Sequence, residues 1–398
     1  MNPELNRLHP YPFEKLSAIK AEVTPPEGLA HIALSIGEPK HPAPHFVTQA
    51  LISHMHGLGN YPLTKGSVEL RQSICGWLQR RFQLPAESLH VEQHVLPVTG
   101  TREALFAFAQ AVIDRSSQPL VLMPNPFYQI YEGAALLAGA EPLYMNTTDA
   151  TGLAPDFEAI TEAQWQRCQL LYICSPGNPT GKVLDRETLQ GLIKKSLQYD
   201  FVIASDECYS ELYFDEAQPP LGLLQVAAEM GHTDYKNCVV FHSLSKRSNL
   251  PGLRSGFVAG DAGVLKKFLL YRTYHGCAMP PPTQSASITA WDDEEHVRAN
   301  RDLYRAKFDA VLTILSPVMA VEKPDAGFYL WAKTPIDDAL FAQQLFAAQN
   351  VTVLPGQYLS READGTNPGQ GYIRMALVAT LEECVEAAER IKEFVLSL

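Results

Sequence analysis

No window of the chain holds the roughly 18 to 20 uninterrupted apolar residues that a membrane helix needs, and no basic tract occurs anywhere. The first absence excludes a helical membrane span. The second disfavours nucleic acid as a partner, because phosphate recognition needs clustered Lys and Arg to displace counterions. Formal charge is instead −12, from 44 acidic against 32 basic residues. The opening "MNPELNRLHPYPFEKL" carries prolines and acids where a secretory signal would need an apolar core. Seven cysteines, at 75, 168, 174, 208, 238, 277 and 384, are odd in number and never spaced CxxC. They read as reduced, partly buried thiols of a cytoplasmic protein. There is no HExxH, and His54 and His56 fall in a polar, loop-like stretch, so no metal is expected. A G-x-G-x-x-G after the first strand is also missing, which removes a nicotinamide-binding dehydrogenase.

What is present is globular: 46% hydrophobic and 19% charged residues over 398 positions, too many for one comfortable core. From about residue 95 to 260, short β-branched runs alternate with helix-like stretches. "HVLPVTG" leads into "TREALFAFAQAVI", "LVLMPNPFY" into "QIYEGAALLAGA", and "QLLYICSPGNPTG" into "RETLQGLIKKSLQYD"; "FVIASDECYSELYF" and "NCVVFHSLSK" follow. Continuous apolar strands separated by helices predict an α/β fold with a mostly parallel sheet covered on both faces. Ligands of such sheets lie at the carboxyl ends of the strands. Gly100, Asn125, Asn178, Asp206 and Lys246 each follow an apolar run and fall there. After about residue 290 the pattern shifts to a long amphipathic helix ("EEHVRANRDLYRAKFDAVLTIL"), strands "GFYLWAK" and "VTVLPG", and a closing helix. We therefore expect a large domain over 46–290 and a smaller α+β domain from 1–45 and 291–398, with the proline-rich N-terminal arm packed on the latter.

Taken singly, the strand-end residues have plain explanations. Lys246 would be a surface lysine, the Asn178 turn an ordinary Asx loop, and "TGTREAL" a capped helix. Together they ask for more. A lysine amine becomes a useful nucleophile when desolvation lowers its pKa, and its main covalent use is attack on a carbonyl. Asp206, directly after an apolar run, needs a cation or donors. Tyr209 offers a phenol to the same place, and the Pro176–Gly181 turn fixes Asn178. Gly100, Thr101 and Arg102 open a helix whose free N–H groups suit an anion. Ser243, Ser245 and Arg254 supply a second set of anion donors. Pyridoxal phosphate needs all of these: an amine for its aldehyde, a carboxylate at its ring nitrogen, donors to its phenolic oxygen, a phosphate cradle and a stacking ring.

The series "TGTREAL", "PNPFYQIY", "SPGNPTG", "SDECYSELYF", "SLSKRSNLPGLRSGF" and "YIRMAL" resembles the class I aminotransferases of the fold type I pyridoxal-phosphate family, over nearly the whole chain. The resemblance implies that Lys246 holds the cofactor aldehyde covalently, and that Asp206 pairs with the ring nitrogen. Asn178 and Tyr209 would hydrogen-bond the phenolic oxygen. Gly100, Thr101, Arg102, Ser243, Ser245 and Arg254 would form the phosphate site, and Tyr128 would stack on the ring. Arg374 would hold the substrate α-carboxylate, beside Asn178 and the backbone N–H of Gly37. Tyr61 would reach the partner's phosphate in a homodimer.

"LHPYPFEKL", "LSIGEPKHPAP", "LLYRTYHGCAMPP" and "NVTVLPGQYL" further resemble the succinyldiaminopimelate aminotransferases of bacterial lysine biosynthesis. That likeness implies exchange of an amino group between N-succinyl-LL-2,6-diaminopimelate and 2-oxoglutarate. Both donors of that exchange carry a carboxylate remote from the reacting carbon. Lys65, Arg71, Arg102 and Arg272 are the candidates to meet it, although each is by default a surface charge or an ion pair. An aspartate or aromatic aminotransferase, or a carbon–sulfur lyase, shares the same scaffold residues and stays open. A regulator built on this fold would carry a basic DNA-binding domain ahead of the match, and no such segment precedes "LSIGEP".

Overall fold

Apolar side chains in the central runs alternate between two cores, as a sheet buried on both faces requires. In the computed structural model, which describes residues 1–398, these runs form seven strands. They are β1 (Val95–Val98), β2 (Leu120–Asn125), β3 (Glu141–Asn146), β4 (Cys168–Cys174), β5 (Val202–Asp206), β6 (Cys238–Ser243) and β7 (Gly256–Gly260). Their spatial order is β1-β7-β6-β5-β4-β2-β3. Only β7 runs against its neighbours, so the sheet is mostly parallel, as expected. Val202 and Ala204 of β5, with Val239 and Phe241 of β6, face the helices Thr101–Val112 and Ile130–Ala138. Ile203, Cys238 and Val240 face the opposite layer, with Val68–Phe82 and Arg186–Tyr199. Parallel register aligns Cys174, Asp206 and Phe241 across three neighbouring strands. That alignment puts the carboxyl ends of β4, β5 and β6 at one edge of the sheet.

A second body rests on helices Glu295–Leu315 and Leu381–Ser397 and an antiparallel sheet. Its strands are β8 (Tyr329–Lys333), β9 (Leu354–Pro355) and β10 (Tyr372–Ala376), in the order β9-β10-β8. "VTVLPG", expected as one strand, is divided. Val351–Thr352 pairs in parallel with Ile32–Ala33, and only Leu354–Pro355 joins β10. Leu34 explains the division: its N–H donates to Thr352 O at 2.8 Å while its carbonyl accepts from Ala376 N. An N-terminal segment thus lies between the two pieces. The arm also departs from expectation. Helix Pro12–Ala21 packs on helix Asp338–Gln349, but the first turn, Pro3–Arg7, lies on Ile130–Ala138 of the large sheet layer. Ile32 and Leu34 share one buried cluster with residues 308–394, while the two clusters on either face of the large sheet fall between Val47 and Trp291. On that clustering we propose the division at about 45 and 291. No helix is long and apolar enough to cross a membrane.

Asn125, at the end of β2, is a clasp rather than a site residue. Its Nδ2 donates to Asn146 Oδ1 and to Arg361 O, both at 2.8 Å, and its Oδ1 accepts from Arg361 N at 3.0 Å. The loop it holds, next to Leu359, forms part of the cavity wall described below. Asn125→Ala would leave those buried groups unpaired and should destabilise the protein by about 3 kcal/mol. Urea denaturation followed by circular dichroism checks this, and an unchanged midpoint would contradict it.

Candidate active site

Strand ends β4, β5 and β6 open on a cavity of about 550 Å³ that also takes in Gly37, residues 101–102 and Arg374. Asp206 closes its floor. The residue follows four buried apolar or small residues of β5 and is itself only 4% exposed. Its Oδ2 accepts from the Tyr131 hydroxyl at 2.6 Å and its Oδ1 from the Cys208 amide at 3.3 Å. Burial raises its pKa from the ordinary aspartate value, and the bonds from Cys208 and Tyr131 oppose that. No lysine or arginine pairs with it. A buried carboxylate held by two donors and no cation is a place built to receive a positive charge from a ligand.

Lys246 stands on the single helical turn Leu244–Arg247 that follows β6. Its Nζ donates to the Gly37 carbonyl and lies 5.2 Å from the Phe328 ring centroid. Burial lowers its pKa to about 8; Cys208 opposes the shift and Arg374 adds to it. The amine is therefore available as a base or nucleophile near neutral pH.

Arg374, in the middle strand β10, is buried and makes no ion pair. Its guanidinium donates to Asn178 Oδ1 at 2.9 Å and to Ser35 O at 2.7 Å, and it lies 4.4 Å from the Tyr329 ring centroid. Its Nε is buried without a partner. Here the fold offers a cation to an incoming anion. Tyr209 places its hydroxyl 3.0 Å from that of Tyr329, and burial holds its pKa well above that of a free phenol.

The third part is an anion cradle. Helix Thr101–Val112 begins after Gly100, which has φ +91° and offers no side-chain cap, so the first-turn N–H groups stay free. A Cβ at Gly100 would collide with the Arg254 guanidinium, so only glycine lets the arginine lie across the helix start. Ser243 Oγ accepts from Ser245 N at 3.1 Å and donates to Ser245 Oγ at 2.9 Å, which turns both hydroxyls toward the same place. Tyr128 lines the wall, its hydroxyl accepting from Arg102 Nε at 2.7 Å.

Of the remote-carboxylate candidates, three do not reach the cavity. Lys65 pairs with Glu92 at 3.0 Å. Arg71, buried in helix Val68–Phe82, is spent on Val91 O and Glu92. Arg272, 0% exposed, forks onto Glu103 at 2.7 and 2.8 Å and bonds Cys277 O. Burial of those guanidinium groups required partners inside the fold, so they are unavailable to substrate. Arg102 alone lines the cavity, free of any carboxylate. Tyr61 is fully exposed and does not line this chain's own cavity.

Several residues of the site are invisible to motif reading. Tyr131 lies behind the cavity wall, in the first turn of helix Ile130–Ala138, and reaches the site only through its bond to Asp206. Tyr329 and Glu38 carry no local signal. Cys174 and Cys208 line the cavity beside Asp206, and Cys208 Sγ is 3.1 Å from Thr101 Oγ1.

A strand-end lysine, an unpaired buried acid and a glycine-opened anion cradle on this sheet order define a fold type I pyridoxal-phosphate protein. The chain belongs to the aminotransferase class I and II family, whose profile matches residues 30–391, and that family works with pyridoxal phosphate. An LL-diaminopimelate aminotransferase of Nitratidesulfovibrio vulgaris (strain Miyazaki F) is 32% identical over 394 residues, 97% of each chain. A crystal structure of an aminotransferase from Neisseria meningitidis superposes with a TM-score of 0.95 at 50% identity, covering 99% of this chain and 100% of that one. A probable N-succinyldiaminopimelate aminotransferase from Thermus thermophilus gives 0.85 at 25% identity, covering 96% and 99%.

The unforeseen Tyr131 hydroxyl yields a direct test. Tyr131→Phe removes a donor to a buried carboxylate and should weaken pyridoxal-phosphate affinity about tenfold. Equilibrium dialysis measures this, and unaltered affinity would show that the Tyr131 bond leaves Asp206 unaffected.

Proposed function

We propose that this aminotransferase exchanges the free amino group of N-succinyl-LL-2,6-diaminopimelate with 2-oxoglutarate, in diaminopimelate and lysine formation. One observation supports it above others: with Arg254 assigned to phosphate and Arg374 to the α-carboxylate, Arg102, which the resemblance also put in the phosphate turn, is the third arginine of the cavity lining and pairs with no carboxylate. A site with such a spare cation suits donors that carry a second, remote carboxylate. A second reading, free LL-diaminopimelate as donor, draws on the names of relatives such as that of Nitratidesulfovibrio vulgaris. It also draws on Glu38, a cavity acid able to meet a remote ammonium.

In this reading Asp206 holds the ring nitrogen's positive charge, Asn178 and Tyr209 hold the phenolic oxygen, and Tyr128 covers one ring face. Gly100, Thr101, Ser243, Ser245 and Arg254 hold the phosphate. When bound, pyridoxal phosphate supplies an aldehyde and a ring that withdraws electrons from the substrate's α-carbon. Arg374, with the Gly37 N–H, orients the α-carboxylate so that the α-hydrogen faces Lys246. Lys246 Nζ takes that proton as general base and returns one as general acid in the reverse half. The functional unit is a homodimer in which exposed Tyr61 reaches the neighbouring phosphate.

A coupled assay for glutamate formation, run with succinyl-diaminopimelate, LL-diaminopimelate, aspartate and tyrosine, checks the substrate. The succinylated donor should give the highest kcat/KM; a large excess for either diaminopimelate or aspartate would overturn the assignment. Lys246→Ala should abolish turnover and visible absorbance with the far-ultraviolet circular dichroism unchanged, whereas retained turnover would remove Lys246 from the chemistry.

A further inference from the structure

Lys307 is a buried lysine that the chemistry above leaves unused. It lies in helix Glu295–Leu315, is 2% exposed, and no acid pairs with it. Its Nζ instead donates to His41 Nε2 at 2.6 Å. Because that ring nitrogen accepts, Nδ1 carries the hydrogen and donates to Asn300 Oδ1 at 2.9 Å. Asn300 Nδ2 then donates to the main-chain carbonyls of Lys246 and Arg247, at 3.2 and 3.3 Å. Asn249 Nδ2 adds a second bond to Asn300 Oδ1 at 2.8 Å and fixes the amide's orientation. The hydrogen bonds run one way, from Lys307 through the loop that bears His41 to the peptide of Lys246. Four residues before His41, the carbonyl of Gly37 accepts from the Lys246 amine itself. The same loop therefore meets the Lys246 side chain directly and its backbone through Asn300, and it carries Ile36 and Glu38 into the cavity wall.

We propose that His41, Asn300 and Lys307 are positioning residues, a relay that holds loop 36–41 against Lys246 and so sets substrate affinity, and that acid releases it by protonating His41. The proposal rests on the reading of Lys246 as the reacting amine but not on which amino donor it serves. A protonated His41 loses its acceptor nitrogen and faces the Lys307 ammonium at hydrogen-bond distance. Burial lowers the pKa of His41; the Asn300 bond opposes this and Lys307 reinforces it. Burial also lowers Lys307 to about 8, opposed by Cys384, Glu383 and Glu382 on the closing helix. Tyr304, from the lysine's own helix, packs against both groups: its ring centroid is 4.8 Å from that of His41 and 5.1 Å from Lys307 Nζ. Lys40, on the loop, adds a positive charge near Cys384. With the His41 pKa below its ordinary 6.5, the neutral relay is complete above that value and is lost as pH falls through the lowered one.

The test uses holoenzyme with glutamate as the varied substrate, and compares wild type with His41→Gln and Lys307→Met. Glutamine can accept from Lys307 and donate to Asn300 without titrating, and methionine fills a buried site without a charge. Wild-type KM should hold steady between pH 7.5 and 6.5 and rise as the pH is lowered further, by about tenfold once His41 is charged, as loss of one charge-sensitive contact implies, with kcat changing far less. His41→Gln should flatten that rise, and Lys307→Met should show a raised KM throughout. Hydrogen exchange of the peptide 36–44, corrected for intrinsic rates, should show protection lost in acid for wild type but kept in His41→Gln. Profiles of both variants that superimpose on wild type, in KM and in exchange, would overturn the relay. The exchange readout needs no turnover, so failure of the relay and failure of Lys246 as the reacting amine are told apart.

Discussion

A carboxylate sealed at the end of β5 with no cation of its own sets the terms for everything around it. Moving such a group out of water costs several kcal/mol unless a positive charge and donors meet it. Asp206 has donors, from Tyr131 and Cys208, but the charge must come from outside the chain. The parallel sheet makes this possible. It delivers Cys174 and Asp206 in register, and β6 beside them ends in the turn that carries Lys246. In the proposed reading, a flat aromatic ligand with a basic nitrogen at one end and an aldehyde at the other lies between acid and amine. The anion cradle at Gly100, Ser243 and Arg254 then fits its phosphate. In the proposed reading, the same burial that leaves Asp206 waiting for a cation also lowers the Lys246 amine, so one desolvated pocket prepares both groups.

Much of this was legible in the chain because strand-end positions are local facts. An apolar run followed by Asp206, or by Ser243 and Lys246, announces its own place at the carboxyl edge of a buried sheet. Gly100 before "TREAL" likewise announces an open helix start. What stayed hidden depends on contacts between distant segments. The split of "VTVLPG" is set by Leu34, more than 300 positions away, and no periodicity within the strand records it. Asn125 looked like a site residue because it ends a strand, yet Arg361 and Asn146 consume its amide. Tyr329 reaches Tyr209 from the second body, which a sequence reading had no means to place.

The arginines carry the same lesson about charge. Arg71, Arg102 and Arg272 look alike in sequence, and burial separates them. Arg71 and Arg272 entered the core and took internal partners, Glu92 and Glu103 among them, while Arg102 stayed at the cavity. In the proposed reading, substrate selection therefore falls to few groups, and those lie where the N-terminal segment, the small sheet and the large sheet meet. Loop 36–41 belongs to that meeting place: it shapes the cavity wall, accepts from the Lys246 amine at Gly37, and reaches the Lys246 backbone through Asn300.

The most direct measurement is borohydride reduction of the cofactor-loaded protein, followed by peptide mass mapping. The pairing of an amine at 246 with an acid at 206 predicts one reduced pyridoxyl adduct, on the peptide containing Lys246, with visible absorbance lost in step. A protein that takes up no label, or takes it on another lysine, would contradict it.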